Sequence, residues 1–402
     1  MPLNQRLVSL EESASVALAD RVRRLQASGR KVIALQTGDP DFPTPGPIVE
    51  AACRAIEEGQ THYCNSRGLP ELRRAIADNV SRMYGAEYDP ESEILVTCGG
   101  IHAYYCALMA ILGPGDEVLV ADPAWMPHAN TVRLVGGRAV RVPAPAENGF
   151  FPALADWEQA LTSRTKALLV NSPNNPTGAV ASGDYLGEIV QFAAAHDLYI
   201  ISDEVYHSIL YDGRRHTCVA SLPGARSRTL LLNSLSKTYA MTGWRVGFLA
   251  APSQVIEQAL KASQHSITNL APFVQKAAAF ALTDSAVASA AQEMAMAYES
   301  RKRRVMQLWR EAQTSDVGVY EPQGAFYFFL DLRALTISSV EAAASLLEDR
   351  SVAMVPGSAY GPCGEGFLRM TIAAADAEIE AGFTHLLDWA RLRRGRIAGR
   401  ST

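Results

Sequence analysis

Four reactive side chains and a guanidinium crowd into a short stretch of this 402-residue sequence. Asp203, Glu204 and Tyr206 sit in ISDEVYHSILYDG, while Lys237 stands among Ser234, Ser236 and Thr238 in NSLSKTYAMTGWRVG, eight residues before Arg245. Each group follows a short apolar run, 198–202 and 230–232, so both emerge where a strand ends. A lysine directed into a desolvated crevice loses part of its preference for charge and becomes an amine nucleophile toward a carbonyl. A guanidinium beside small hydroxyls and a glycine turn offers phosphate a planar fork of donors. Taken alone, Asp203 reads first as a helix N-cap, and Lys237 reads as readily as a surface lysine. Together, the amine, hydroxyls, guanidinium and carboxylate suggest a phosphorylated aldehyde held as a Schiff base.

The elements that must position these groups follow an α/β pattern. Apolar runs at 117–120, 167–170, 198–202, 230–232 and 246–250 predict strands, and 183–196 predicts an amphipathic crossover helix between two of them. That alternation predicts a largely parallel sheet flanked by helices, with ligands at the carboxyl ends of its strands. Ahead of it, Ser9 and Glu12 resemble a capping box, with helical spacing continuing to about Ser28 before Gly29. The proline- and glycine-rich stretch 31–47 predicts a rigid connector near a domain boundary. A helical stretch around 294–309, a strand at 325–330 and a helix near 379–392 predict a second, α+β unit. The expected division is an N-terminal arm with part of the small domain (1–46), a large cofactor-binding domain (47–285) and a C-terminal small domain (286–402). The basic tail, 391–402, reads as a frayed solvated end.

Pyridoxal 5′-phosphate needs the parts named above: an amine for its aldehyde, donors for its phosphate, and a carboxylate that keeps its ring nitrogen protonated as an electron sink. Further motifs occur in order: GDPDFPTP (38–45), THY (61–63), GPGDEVLVADPAW (113–125), NSPNNPTG (171–178), PQGAFYF (322–328) and FLRM (367–370). With SDEVY (202–206) and the 233–247 segment, they make the chain resemble the fold-type I pyridoxal phosphate enzymes of the class I/II aminotransferase family, over roughly residues 30–390. The resemblance implies that Lys237 carries the Schiff base and moves the substrate Cα proton. It implies that Asp203 partners the ring nitrogen, that Asn175 and Tyr206 hold the ring's phenolic oxygen, and that Trp125 stacks on the ring. Ser234, Ser236 and Arg245, with the backbone amides of Gly100 and Ile101, are the implied phosphate ligands. Arg369 is the implied fork for the substrate α-carboxylate, assisted by Asn175 and the Gly38 backbone. Tyr63 matches a residue that reaches the cofactor of the neighbouring subunit, implying a homodimer with shared active sites.

The implied reaction is ping-pong transfer of an amino group from an L-amino acid to a 2-oxo acid, of the aspartate/aromatic type or the arginine–pyruvate type. NGF at 148–150 and AHDL at 195–198 are similar to the latter. Ile101 stands where some relatives carry a lysine for a dicarboxylate side chain, and 262–275 offers only His265 as a cation, so the substrate side chain stays open. A β C–S lyase on the same fold and a non-enzymatic pyridoxal phosphate-binding regulator are the alternatives; the match beginning near residue 30 leaves little room for a preceding DNA-binding domain. Net charge is −5, with 20% charged and 48% apolar residues, which gives no electrostatic case for nucleic acid or an anionic membrane. No apolar run approaches a membrane span, and the N-terminus lacks a signal-peptide core. Six scattered cysteines without C-x-x-C spacing, and eight histidines without H-E-x-x-H, predict reduced thiols, a cytoplasmic location and no metal site.

Overall fold

The apolar runs assemble into one seven-stranded sheet in the computed structural model, which describes residues 3–8, 10 and 14–398. Its strands, in chain order, are β1 (Ile94–Thr97), β2 (Glu117–Asp122), β3 (Arg138–Pro143), β4 (Thr165–Asn171), β5 (Tyr199–Asp203), β6 (Thr229–Ser234) and β7 (Gly247–Ala250). They lie side by side as β1-β7-β6-β5-β4-β2-β3. The pairings among β2, β3, β4, β5 and β6 are parallel, while β7 runs antiparallel to both β1 and β6. Successive residues alternate between faces: Leu168, Val170 and Ile200 enter one hydrophobic core, and Ala167, Leu169 and Ile201 enter the other. Burial on both faces explains why these strands read as continuous apolar runs.

The crossover helix Gly183–Ala195 turns Leu186, Ile189, Val190 and Ala193 onto the sheet at helical spacing. Ser182 caps it by accepting from the Tyr185 amide at 3.1 Å. On the opposite face, helix Gly100–Ile111 packs Ala103, Ala107 and Leu108 against the strands.

Downstream, helix Ser285–Ala312 leads into a four-stranded antiparallel sheet of β8 (Gly318–Val319), β9 (Tyr327–Asp331), β10 (Val355–Pro356) and β11 (Phe367–Thr371). Its order is β10-β11-β9-β8. The connector joins this part: Ile33 and Ala34 pair in parallel with Val352 and Ala353. The N-terminal helix Ala14–Ala27 packs Leu18, Val22 and Leu25 in a core with Val32, Leu347 and Ala353. The proposed capping box at Ser9 to Glu12 includes residues outside the described set. The expected fraying of the tail is corrected over its described part. Helix Asp376–Ala398 continues through it, and Arg393 and Arg394 pair with Glu341 and Asp316 at 2.6 and 2.8 Å. Among the described residues no helix is long and apolar enough to cross a membrane.

Candidate active site

One cavity of about 730 Å³ lies at the carboxyl ends of β4, β5 and β6. β5 delivers Asp203 as its last residue, and β4 ends on Asn171, whose Oδ1 accepts from the Asn175 amide at 3.0 Å. Ser234 closes β6 and caps a single helical turn, Leu235–Thr238, which turns Lys237 into the cavity. Lys237 Nζ donates to the Gly38 carbonyl at 2.5 Å. Burial pulls its ammonium down to about 8; Asp39 opposes the shift, while Arg369 and Arg245 add to it. The amine is therefore far more available as a nucleophile than a solvated lysine.

A donor cradle forms one end. Helix Gly100–Ile111 begins there, and its first amides, those of Gly100 and Ile101, have no described partner. Ser234 and Ser236 lie beside them, hydroxyl to hydroxyl at 2.7 Å. Arg245 adopts left-handed backbone (φ 56°), a conformation costing a non-glycine residue about 1 kcal/mol. Its guanidinium lies against Gly99, where an added Cβ would stand 2.7 Å from Nη2. Gly247 is equally constrained: a Cβ there would meet the Gly99 and Gly100 backbone at 2.7 and 2.8 Å.

At the other end, Arg369 on β11 is buried between the rings of Tyr327 and Tyr360, its guanidinium carbon 4.3 and 5.2 Å from their centroids. Nη1 donates to Asn175 Oδ1 at 3.1 Å and Nη2 to the Gln36 carbonyl at 2.6 Å. Nε is buried with no partner. A buried unpaired donor beside an open cavity suits an acidic ligand.

Every residue assigned above from the resemblance lines this cavity except Tyr63, which is 88% exposed and outside it. Sequence reading missed His128, buried on helix Met126–Leu134, with Nε2 2.9 Å from Asp203 Oδ2. Its position three residues after Trp125, the residue that precedes the helix, is the only local signal. Their rings meet edge to face at 5.3 Å. Part of the lining was also missed: Leu10, Val16, Ala19 and Arg23 line the cavity together with Met126, Pro127 and Leu134. Helical spacing shows that Val16, Ala19 and Arg23 share a side, but not what that side covers.

A family model described as aminotransferase class I and II matches residues 30–386. The chain belongs to that family. This aminotransferase is 43% identical over 355 residues to the aspartate aminotransferase of Pyrococcus abyssi, covering 88% of this chain and 90% of that protein. It is 39% identical over 380 residues to aromatic-amino-acid aminotransferase 2 of Thermococcus litoralis, covering 94% and 96%. Its fold matches the Thermus thermophilus aspartate aminotransferase solved with maleate at a TM-score of 0.91 and 37% identity, over 96% and 99% of the two chains. The aminotransferase thus has the expected fold-type I architecture. Enzymes of this class depend on pyridoxal phosphate and exchange amino and oxo acids. The cavity suits such a cofactor: amides, hydroxyls and a guanidinium at one end, a carboxylate at Asp203, and the buried Lys237 amine, its ammonium pulled down by burial.

Proposed function

We propose that this aminotransferase binds pyridoxal 5′-phosphate through Lys237 and moves an amino group from an L-amino acid to a 2-oxo acid in two half-reactions. The observation that carries this reading is the single cavity lined by Lys237, the donor cradle and Arg369. The bound cofactor supplies an electron sink for charge developing at the substrate Cα. Gly100, Ile101, Ser234, Ser236 and Arg245 hold phosphate by charge-assisted hydrogen bonds. Asp203, oriented by His128, supplies negative charge to the ring nitrogen, and Trp125 packs over the ring. Tyr206 and the amide nitrogen of Asn175 serve the ring oxygen. Arg369, Asn175 and the Gly38 backbone fix the substrate carboxylate, so that the proton on Cα faces Lys237. Lys237 Nζ, freed once the substrate amine has displaced it, would take that proton and deliver it to the carbon that carried the aldehyde, and the second half-reaction would run the same transfer in reverse.

The wall of Leu10, Val16, Ile101, Met126 and Leu134 supports donors with apolar or aromatic side chains. Arg23, on the cavity rim and paired with Asp20, supports a second reading in which it meets a dicarboxylate. Exposed Tyr63 supports a role toward a second subunit, and hence a homodimer with shared sites. The six free cysteines support a cytoplasmic location. The pairing of the connector with Val352 and Ala353 supports grouping residues 1–46 with the C-terminal part of the chain.

A donor and acceptor screen of the holoenzyme tests the reading. Conversion of the cofactor to its amino form by an L-amino acid, and recovery by a 2-oxo acid, is the expected result. Pyruvate and ammonia release instead would mean a C–S lyase. A preference for aspartate that Arg23→Gln abolishes would establish the dicarboxylate reading without touching the reaction class.

A further inference from the structure

Tyr327 opens β9, and its side chain sits where three parts of the cavity meet. Strand register places Tyr327 opposite Thr371 and Phe329 opposite Arg369, so Tyr327 and Arg369 are diagonal neighbours on one face of the sheet. The Arg369 guanidinium lies 4.3 Å from the Tyr327 ring centroid. At the far end of the ring, Tyr327 Oη is 2.9 Å from Tyr206 Oη, and both side chains are buried. Gly38 makes room for that hydroxyl, since a Cβ there would lie 2.5 Å from it.

We propose that Tyr327 is a positioning residue that couples the cofactor-facing Tyr206 to the carboxylate-binding Arg369. The inference rests on the cofactor reading above. A phenol has one hydrogen. If Tyr206 uses its hydrogen on the cofactor's ring oxygen, its own oxygen must accept from Tyr327, which fixes the chain of donors as Tyr327 to Tyr206 to ring oxygen. Hydrogen bonds in such a chain polarise one another, so the Tyr327 hydroxyl makes Tyr206 a stronger donor to an anionic ring oxygen. Arg369 over the Tyr327 ring acts in the same sense: burial raises the Tyr327 phenol, and the guanidinium pulls it back. Packing explains the ring but not the hydroxyl, because phenylalanine would fill the same space.

Two substitutions separate the two ends of the residue. Tyr327→Phe keeps the ring beneath Arg369 and removes only the hydroxyl. In the holoenzyme, pH titration of the visible absorption band should shift its midpoint upward by about half a unit, because the ring oxygen loses support when unprotonated. The Michaelis constant for the amino donor should change less than about twofold, since the stacked ring remains. Tyr327→Leu removes both ends and should also raise that constant by about fivefold or more. Arg369, Asp39, Asp203, Tyr298 and Tyr360 are the charged and titratable neighbours of the phenol pair, and Tyr327→Phe keeps the ring that packs against Arg369. In a Tyr206→Phe background, Tyr327→Phe should add no further shift, the non-additivity expected of a residue acting through another. A wild-type midpoint in Tyr327→Phe, or a full additional shift without Tyr206, would overturn the proposal. A wild-type holoenzyme with no visible band would instead overturn the cofactor reading, so the two failures are distinguishable.

Discussion

Lys237 allows a test that requires no knowledge of the substrate. The structure pulls its ammonium from 10.5 to about 8, chiefly through burial, with Asp39 opposing and Arg369 and Arg245 assisting. Only the neutral amine is nucleophilic, so near neutral pH a group at about 8 presents a neutral fraction on the order of a hundredfold larger than a lysine at 10.5. The direction is fixed: reactivity rises with pH and saturates once the folded-state midpoint is passed. Trace acetylation of the cofactor-free protein by acetic anhydride, read by peptide mass spectrometry between about pH 6 and 11, measures this site by site, with exposed lysines as internal references. The Lys237 peptide should show a midpoint near 8. Asp39→Asn should move it lower, because Asp39 is the group that holds the ammonium charged. A Lys237 midpoint at 10 or above, or an upward shift in Asp39→Asn, would refute the burial argument.

Arg369→Lys replaces a fork held by Asn175 and Gln36 with a single point charge; Michaelis constants for amino and oxo acids should both rise by about tenfold to a hundredfold, a loss of about 1.5–3 kcal/mol, in steady-state kinetics of each half-reaction. Asp203→Asn preserves volume but removes the charge facing His128; single-turnover rates should fall much more than cofactor affinity, whereas equal losses for exposed Glu58→Gln would remove any special role for Asp203. Gly247→Ala drives a methyl into the Gly99 and Gly100 backbone and should cost about 2 kcal/mol in denaturant unfolding while weakening cofactor retention in equilibrium dialysis. Mixing Tyr63→Phe chains with Arg245→Ala chains should restore about one intact site per dimer if Tyr63 serves its neighbour; no recovery despite confirmed subunit exchange would leave Tyr63 without that role.

Much of the site was legible because its chemistry is carried by contiguous segments. Residues 202–206 and 233–247 each combine a strand end with the groups it presents, and local burial and turn chemistry decide which way those groups point. The sheet was legible for the same reason: strands covered on both faces must be apolar throughout, and helix 183–195 must show its one apolar stripe. Strand β7 read as one more apolar run, because its antiparallel direction depends on pairing with β1 and β6 and leaves no trace in composition. His128 and Asp203 are 75 residues apart, and Arg369 reaches across 333 residues to the Gln36 carbonyl. The first depends on the strand order of the seven-stranded sheet, and the second on the connector packing against strand β11. The same holds for the apolar wall, where the N-terminal helix displays an ordinary amphipathic pattern and only tertiary packing decides that one side rests on the core while another closes the cavity. Residue type and spacing therefore determined which groups could do chemistry; the packing of distant segments decided which of them share a solvent-poor space, and with it the shifted amine of Lys237 and the unpaired donor of Arg369.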